Sequence, residues 1–218
     1  MVLVDRDYVV MREIERWRFC LSRHIRILAG FSGGRACDRR LKILVDAGYI
    51  EWKMVLYGVP RYYYLSRKGK NLIGTNARQD KIRVEKISHD IAVLDTVIYF
   101  MQKHNLRLEN ITTEKQLHSK DGFSSRKHCP DYIFTDTENN CTCCVEIELT
   151  AKAKNRLEKN IEENYLNYET QYWIVSKTGF KIRQMLKEFS EKYQNIKIID
   201  LEEVQESVKF YKEDNKTE

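Results

Sequence analysis

Apolar residues recur at helical spacing in several stretches of the chain, and shorter apolar runs bounded by turn residues lie between them. In the first half this pattern predicts three helices, then two strands joined by a turn, then a fourth helix. Gly48 is a suitable stop for the third helix because glycine accepts the left-handed backbone of a helix C-terminus. The predicted elements are helices from Asp7 to about Trp17, from Ser22 to Leu28 and from the turn at 32–34 to Asp46, strands at 49–53 and 61–65 around a turn at 57–60, and a helix that opens at Ser66.

The second half alternates strands with helices. A helix beginning at Ile87 carries apolar residues on more than one side, and Glu138-Asn139-Asn140 has hairpin turn chemistry between two strands. This order predicts a mixed sheet with helices on its faces, an α/β (α+β) fold. The later elements are strands at Leu106–Leu117, Pro130–Thr135 and Cys143–Thr150, a helix from Lys152 to about Asn167 with Leu157, Ile161 and Tyr165 on one side, a strand at Tyr172–Ser176, a helix from Phe180 to Tyr193, a strand at Ile196–Ile199, and a tail that frays after Glu206.

Basic residues are concentrated at the front of the chain. The net charge is +6, and residues 1–78 carry 16 Lys and Arg against 7 Asp and Glu. In the third predicted helix, Arg35, Arg39 and Lys42 fall on the face opposite the apolar stripe. Such a face indicates electrostatic binding of a polyanion, although many basic faces contact only solvent. The apolar stripe consists of Cys37, Leu41, Leu44 and Val45.

Two short phrases border the predicted hairpin, Leu44-Val-Asp-Ala-Gly-Tyr-Ile50 and Tyr64-Leu-Ser-Arg-Lys-Gly69. Together with the order of helices and hairpin, they resemble the winged helix-turn-helix family. The resemblance implies that this module binds double-stranded DNA, with the third helix in the major groove and the wing on phosphate or in the minor groove. The alternative is a protein-interaction winged helix whose charges are solvated. The implied DNA-binding residues are Arg35, Arg39, Arg40 and Lys42 on the helix, and Lys53 and Arg61 on the wing.

Three acids meet on the predicted hairpin of the second half. Glu146 and Glu148 lie two apart on one strand, so they project from the same face, and Asp131 stands at the mouth of the partner strand. Such a trio in a half-buried sheet costs free energy unless something positive neutralises it, and a hard divalent cation with oxygen ligands is the usual solution. The alternative is an exposed strand pair with salt bridges to Lys152 and Arg156.

The order of elements, together with Pro130-Asp131 and Glu146-Ile147-Glu148, resembles the PD-(D/E)xK nuclease fold of restriction endonucleases. The resemblance implies that Asp131 and Glu146 bind Mg²⁺ or Mn²⁺, with the carbonyl of Ile147 as a further ligand. That family has a lysine where this chain has Glu148. We therefore expect a lysine of the next helix to supply the positive charge that the chemistry requires. The candidates are Lys152, one turn away, and Lys154 and Lys159 behind it.

Residues from about 10 to 200 as a whole resemble the replication-relaxation family and the related MOBC-type relaxases of mobile plasmids. The phrase Ser88-His89-Asp90 through Asp95 contributes to this resemblance, and an acid at the position of Glu148 is usual there. The resemblance implies nicking of one DNA strand at an origin of transfer, or an allied role in plasmid replication, alongside relaxosome or conjugation proteins. His89 is a candidate to position a phosphate or a metal-bound water, and the alternative is a polar cluster at a helix cap or core edge.

The expected catalytic site therefore contains Asp131, Glu146 and Glu148 as metal ligands, aided by Lys152 and His89. The nucleophile stays open between water and a side chain, since Tyr132 points to the opposite face and is expected in the core. One competing hypothesis is a non-catalytic DNA-binding accessory protein of a relaxosome or replication system with a decayed nuclease-like half. A weaker hypothesis is a restriction endonuclease, whose usual Glu-x-Lys motif this chain lacks.

The resulting domain prediction is a winged helix at 1–78, a nuclease-like domain at 84–205 and a charged tail at 206–218. No apolar run reaches the length of a membrane span, and charge at Asp5 interrupts the start too early for a signal peptide. We expect a cytoplasmic protein without membrane insertion. The six cysteines are expected to be free thiols. A zinc site built from His128 and the cysteines at 129, 141, 143 and 144 is not favoured, because the hairpin would have to bring its two ends together.

Overall fold

The computed structural model describes residues 2–54, 60–75, 82–121, 128–150 and 152–209. The described residues form a mixed α/β fold with a three-stranded sheet and a five-stranded mixed sheet. They divide into two compact units, one up to Leu94 and the other from Asp95 onward. No described helix is long and apolar enough to span a membrane. Part of the predicted hairpin turn, 57–59, and residues 76–81 around the predicted end of the first domain lie outside the described ranges.

The first unit follows the predicted order of helices and hairpin. Its sheet has the order β1-β3-β2, and both pairings are antiparallel. The two-residue strand β1 pairs Cys20 with Tyr63, and the sequence pattern did not predict it. The elements are α1 Asp5–Trp17, β1 Cys20–Leu21, α2 Ser22–Leu28, α3 Gly34–Asp46, β2 Ile50–Lys53, β3 Tyr62–Leu65 and α4 Arg67–Leu72.

Gly48 ends α3 as the sequence predicts. Its φ of +73° lies in the left-handed region. The N–H of Gly48 donates to the carbonyl of Val45 at 2.8 Å, and that of Tyr49 donates to the carbonyl of Leu44 at 3.0 Å. These two bonds form the Schellman closure that turns the chain from α3 into β2.

The two sequence phrases that border the hairpin contact each other. Ser66 caps α4, since its Oγ accepts from the N–H of Gly69 at 3.1 Å, and the same hydroxyl donates to the carbonyl of Gly48 at 2.6 Å. A Cβ on Gly69 would lie 2.1 Å from the carbonyl oxygen of Tyr49. Only glycine fits there, so the turn after α3 and the start of α4 are packed as one piece.

The second unit is built on a sheet of order β4-β5-β6-β7-β8. Strand β5 is antiparallel to both of its neighbours, β4 and β6, whereas β6, β7 and β8 run parallel to one another. The predicted hairpin of β5 and β6 is confirmed, with Tyr132 opposite Val145. The elements are α5 Ile87–Lys103, which contains the division between the units, β4 Ile111–Thr113, α6 Glu114–Asp121, β5 Tyr132–Asp136, β6 Cys141–Glu148, α7 Lys154–Asn167, β7 Thr170–Val175, α8 Phe180–Lys192, β8 Ile196–Asp200 and α9 Leu201–Lys209.

The two faces of the larger sheet are packed differently. On one face, residues of α7 and α8 pack against Trp173 and Val175 of β7. On the other, the ring of Phe100 of α5 packs in tilted contact with those of Phe134 and Tyr172, with centroids 5.1 and 4.7 Å apart. Since register partners in parallel strands project to the same side, the residues of β6 opposite Trp173 and Val175 face α7 and α8.

The predicted strand from Leu106 to Leu117 is wrong over most of its length. Only Ile111–Thr113 is a strand, and α6 follows it directly. The N–H of Gln116 donates to Oγ1 of Thr113 at 3.3 Å, and the N–H of Thr113 donates to Oε1 of Gln116 at 2.9 Å. This reciprocal capping box starts a helix at a point where the apolar pattern alone predicted a continuing strand.

Two further predictions about the second unit are wrong. Tyr165 does not share the buried side of α7 with Leu157 and Ile161, because it is largely exposed, and Asn160 and Asn164 are buried there instead. The chain does not fray at Glu206, since α9 continues to Lys209 with its apolar residues at helical spacing in the core. Residues 210–218 of the predicted tail lie outside the described ranges.

Candidate functional site

The three acids predicted to form a site come together at one edge of the larger sheet. Glu146 and Glu148 face α7 and α8, because they are the register partners of Trp173 and Val175, and they are only 3% and 4% exposed. Asp131 directly precedes β5, and its Oδ2 accepts from the N–H of Ile147 at 2.8 Å. That bond holds Asp131 between the two glutamates along the strand. The shared face of Glu146 and Glu148 is as the sequence predicts, and the role of the three acids as a site stays a prediction.

Glu148 is a buried carboxyl that lies near two other acids and one lysine. Burial raises its pKa from the usual 4.5 to about 7, and the nearby charges of Glu146 and Asp131 add to this rise. The ammonium group of Lys152 forms an ion pair with Glu148 and opposes it. Lys152 therefore reaches Glu148 as predicted, but it lies before α7, which begins at Lys154, and the prediction that it belongs to the helix is wrong.

Glu146 contacts two residues that the sequence pattern does not predict beside it. Its Oε1 lies 2.5 Å from Nε2 of His128 and accepts from Nδ2 of Asn164 at 3.1 Å. The N–H of His128 also donates to Oε2 of Glu163 at 3.0 Å. The one available signal was that His128 lies three residues before Asp131, and Asn164 had no signal beyond being a polar residue on the inner side of α7.

The site has the chemistry of a divalent-cation site but is closed by its own contacts. Carboxylate oxygens suit Mg²⁺ and Mn²⁺. Within the described ranges, no group of three or more His, Cys, Asp and Glu side chains is arranged to hold a metal ion. Oxygens of Glu146 and Glu148 face His128 and Lys152 instead. A cation could reach all three acids only after one of these two side chains moves.

His89 and Tyr132 are the two other residues considered for the site. His89 belongs to the first unit, whereas the acids belong to the second, and its Nδ1 lies 3.3 Å from Oδ1 of the adjacent Asp90. Its role at the metal stays a prediction. Tyr132 is fully buried and donates to Oγ1 of Thr96 at 3.0 Å, so its expected place in the core is confirmed.

The cysteines are free thiols in the structure. Cys141 and Cys144 have Cys-x-x-Cys spacing, but residues three apart on a strand project to opposite faces, so the two do not converge. Cys141 and Cys143 share a face, with their sulfurs 3.7 Å apart, at the end of β6 away from the acids. Burial raises the pKa of the Cys143 thiol to about 12.

The predicted DNA-binding face of α3 is exposed in part. Arg35, Arg39 and Lys42 are exposed on the helix. Arg40 is not available in the same way, because its guanidinium binds the carboxylate of Asp7, with one contact at 2.7 Å, and also donates to the carbonyl of Val2 at 3.0 Å. Arg40 therefore holds α3 against α1, a structural role that the sequence pattern did not reveal.

The two wing residues are exposed beside aromatic rings. Arg61 lies 4.9 Å from the ring of Trp52, and Lys53 lies 5.7 Å from that of Tyr64. A cleft of about 710 Å³ runs between α3 and the hairpin. Asp38 and Asp46 line this cleft together with Lys42 and Arg61, so its charge is mixed.

Arg39 and Arg40 offer a matched pair of substitutions. Arg40→Met is expected to lower the free energy of unfolding by about 1–3 kcal/mol, because it leaves the buried carboxylate of Asp7 without its partner. Arg39→Met is expected to leave stability unchanged and to weaken binding to duplex DNA, with a shallower dependence on salt. Urea unfolding and fluorescence anisotropy with labelled duplex measure the two effects. An equal loss of stability in both variants would contradict the assignment of roles.

Comparison with known proteins found no matching family model, no matching curated protein and no matching solved structure.

Proposed function

We propose that this protein binds duplex DNA through its first unit and nicks one strand in a metal-dependent reaction at the acids of its second unit. The observation that carries the proposal is the meeting of Asp131, Glu146 and Glu148 with Lys152 at one sheet edge. Three carboxylates beside a cationic side chain suit the hydrolysis of a phosphodiester. On the sequence resemblance, the DNA would be an origin of transfer or replication of a mobile element, with relaxosome or conjugation proteins as partners.

The architecture of each unit supports a finer assignment of the fold. In the first unit, three helices, a hairpin and the short strand β1 have the order of a winged helix-turn-helix. In the second, an antiparallel hairpin is followed by two parallel crossovers, an order that supports the proposed nuclease-like fold. We propose these two folds for residues 1–78 and 84–205.

The residues of the site have distinct tasks in the proposed reaction. Asp131, Glu146 and Glu148 would hold a Mg²⁺ or Mn²⁺ ion, and such an ion would supply positive charge for the scissile phosphate and for the activation of water. Lys152 exchanges its contact with Glu148 for the phosphate and stabilises the charge that develops there. Asn164 fixes Glu146 from α7.

A non-catalytic accessory protein is the second candidate, and one observation favours it. Glu146 already contacts His128 and Glu148 already pairs with Lys152, so both glutamates have partners without a metal. In that case the second unit keeps its fold but performs no chemistry, and the protein acts through DNA binding by the first unit.

Incubation of the protein and Mn²⁺ with a supercoiled plasmid that carries DNA of the mobile element encoding the protein separates the two candidates. The nicking enzyme converts the plasmid to open circles, and EDTA stops the conversion. Binding of the same plasmid with no open circles in either Mg²⁺ or Mn²⁺ would leave the accessory protein as the function.

A further inference from the structure

A second buried asparagine lies on the inner side of α7, one turn before Asn164. Asn160 is only 7% exposed, yet its side chain forms no hydrogen bond with any residue that the structure describes. A side-chain amide taken out of water without a partner costs free energy, and almost all buried polar groups in proteins are satisfied by the chain, by water or by a ligand. The amide of Asn160 is therefore available to a group that the described chain does not supply.

The helix α7 runs back along β6, in the direction away from the acids. It begins shortly after Glu148, the last residue of β6, and the chain that follows it returns to the start of that strand. There the N–H of Glu169 donates to the carbonyl of Thr142 at 3.1 Å, and Oε2 of Glu169 accepts from the N–H of Thr142 at 2.8 Å. Between these ends, Nδ2 of Asn164 donates to Oε1 of Glu146 at 3.1 Å. Residues earlier in α7 than Asn164 therefore lie closer to the end of β6.

This direction places Asn160 at the level of Glu148. Four residues of a helix rise by about 6 Å, and two residues of a strand advance by nearly the same distance, about 6.7 Å. Residues four apart on a helix share a face, as do residues two apart on a strand. Since Asn164 meets Glu146, the asparagine one turn earlier faces the acid two positions later. The inner side of α7 thus presents one amide to each of the two glutamates.

The amide of Asn160 is not used to hold Glu148. Oε1 of Glu148 is buried beside Nζ of Lys152 and accepts no other hydrogen bond from the described residues. The side-chain oxygen of an asparagine is a neutral ligand of the kind that divalent cations take beside carboxylates. With three acids already at the site, a neutral oxygen adds a ligand without adding a fourth negative charge that the others would repel. The chemistry of Asn160 therefore suits the cation proposed for these acids.

We infer that the side-chain oxygen of Asn160 is a further ligand of the divalent cation at Asp131, Glu146 and Glu148. This inference rests on the proposed function, because it extends the same metal site to α7. The two buried asparagines then have different tasks. Asn164 positions Glu146 through a hydrogen bond, whereas Asn160 contacts the ion itself.

Calorimetric titration of Mn²⁺ into the metal-free protein tests the inference without any cleavage. Asn160→Leu removes the ligand oxygen and keeps a side chain of similar size, so it is expected to weaken Mn²⁺ binding about 10- to 100-fold, the order that loss of a group at a metal site produces. Asn160→Asp keeps an oxygen in place and removes the amide donor, and it should bind Mn²⁺ at least as tightly as the wild type. Asn155→Leu is the matched control, because it makes the same change at an exposed position of α7 and should leave the affinity unchanged.

The outcomes distinguish a ligand from a structural residue, and this inference from the proposed function. If Asn160 only positioned Glu148, Asn160→Asp would repel that carboxylate and weaken Mn²⁺ binding as Asn160→Leu does, which overturns the inference. Equal Mn²⁺ affinity of wild type and Asn160→Leu overturns it as well, even if the wild type nicks plasmid. Weaker Mn²⁺ binding by Asn160→Leu alone, in a wild type that does not nick, refutes only the nicking reaction. Urea unfolding in EDTA checks the fold, and the midpoint of Asn160→Leu should be no lower than that of the wild type, because leucine removes the unpaired amide.

Discussion

Asp131→Asn is expected to slow Mn²⁺-dependent nicking by about 100-fold or more. The amide oxygen of asparagine can still accept from the N–H of Ile147, so the bond of 2.8 Å that places this residue is retained. What is lost is the negative charge that a cation requires. The fold and the DNA affinity should stay as in the wild type, which separates a ligand role from a structural one.

The control for this prediction is Glu138→Gln. Glu138 is an exposed acid in the turn of the same hairpin, at the end away from the site. Its replacement removes one negative charge from the same element and should leave nicking unchanged. Equal rates in Asp131→Asn and wild type, measured as open circles formed over time, would rule out Asp131 as a ligand.

Glu148→Gln is expected to make the metal-free protein more stable at alkaline pH. The pKa of Glu148 is raised from 4.5 to about 7, so between these values the folded state binds more protons than the unfolded state. The wild type therefore loses stability as the pH rises from about 4.5 to about 7, and glutamine has no such loss. The difference in free energy of unfolding between the two proteins should change by roughly 3 kcal/mol across this pH range.

Urea unfolding in EDTA at about pH 5 and about pH 8 measures this difference. Subtracting the free energy of unfolding of one protein from that of the other cancels the titration of the groups that both proteins share. Lys152 is partly exposed and can turn to solvent in the variant, so its loss of a partner costs little. If the free energies of unfolding of the two proteins changed equally with pH, the prediction would be contradicted. Such a result would show that the ion pair with Lys152 fully offsets the cost of burying the Glu148 charge.

The sequence predicted those parts of the fold that follow from local periodicity. Three correct predictions depend on residues within a few positions of one another. They are the apolar stripe of α3, the end of that helix at Gly48, and the shared face of Glu146 and Glu148. The strand β1 was not predictable in this way, because two residues carry no period and their partners lie more than forty positions later.

The contacts that close the candidate site depend on longer separations. His128 and Asn164 both meet Glu146 across eighteen residues, and Arg40 meets Asp7 across 33. A single sequence indicates that a buried acid needs a partner, but it does not indicate which polar residue supplies it. For that reason the sequence predicts that Arg40 contacts DNA, and it offers His128 only as a possible zinc ligand.

The most direct test of a cation at these acids is calorimetric titration of Mn²⁺ into the metal-free protein at about pH 8, where Glu148 is ionised. We predict that the wild type and Glu138→Gln bind an ion that Asp131→Asn and Glu146→Gln do not bind. Binding that is equally strong in all four proteins, or absent from the wild type, would contradict a metal site at Asp131, Glu146 and Glu148.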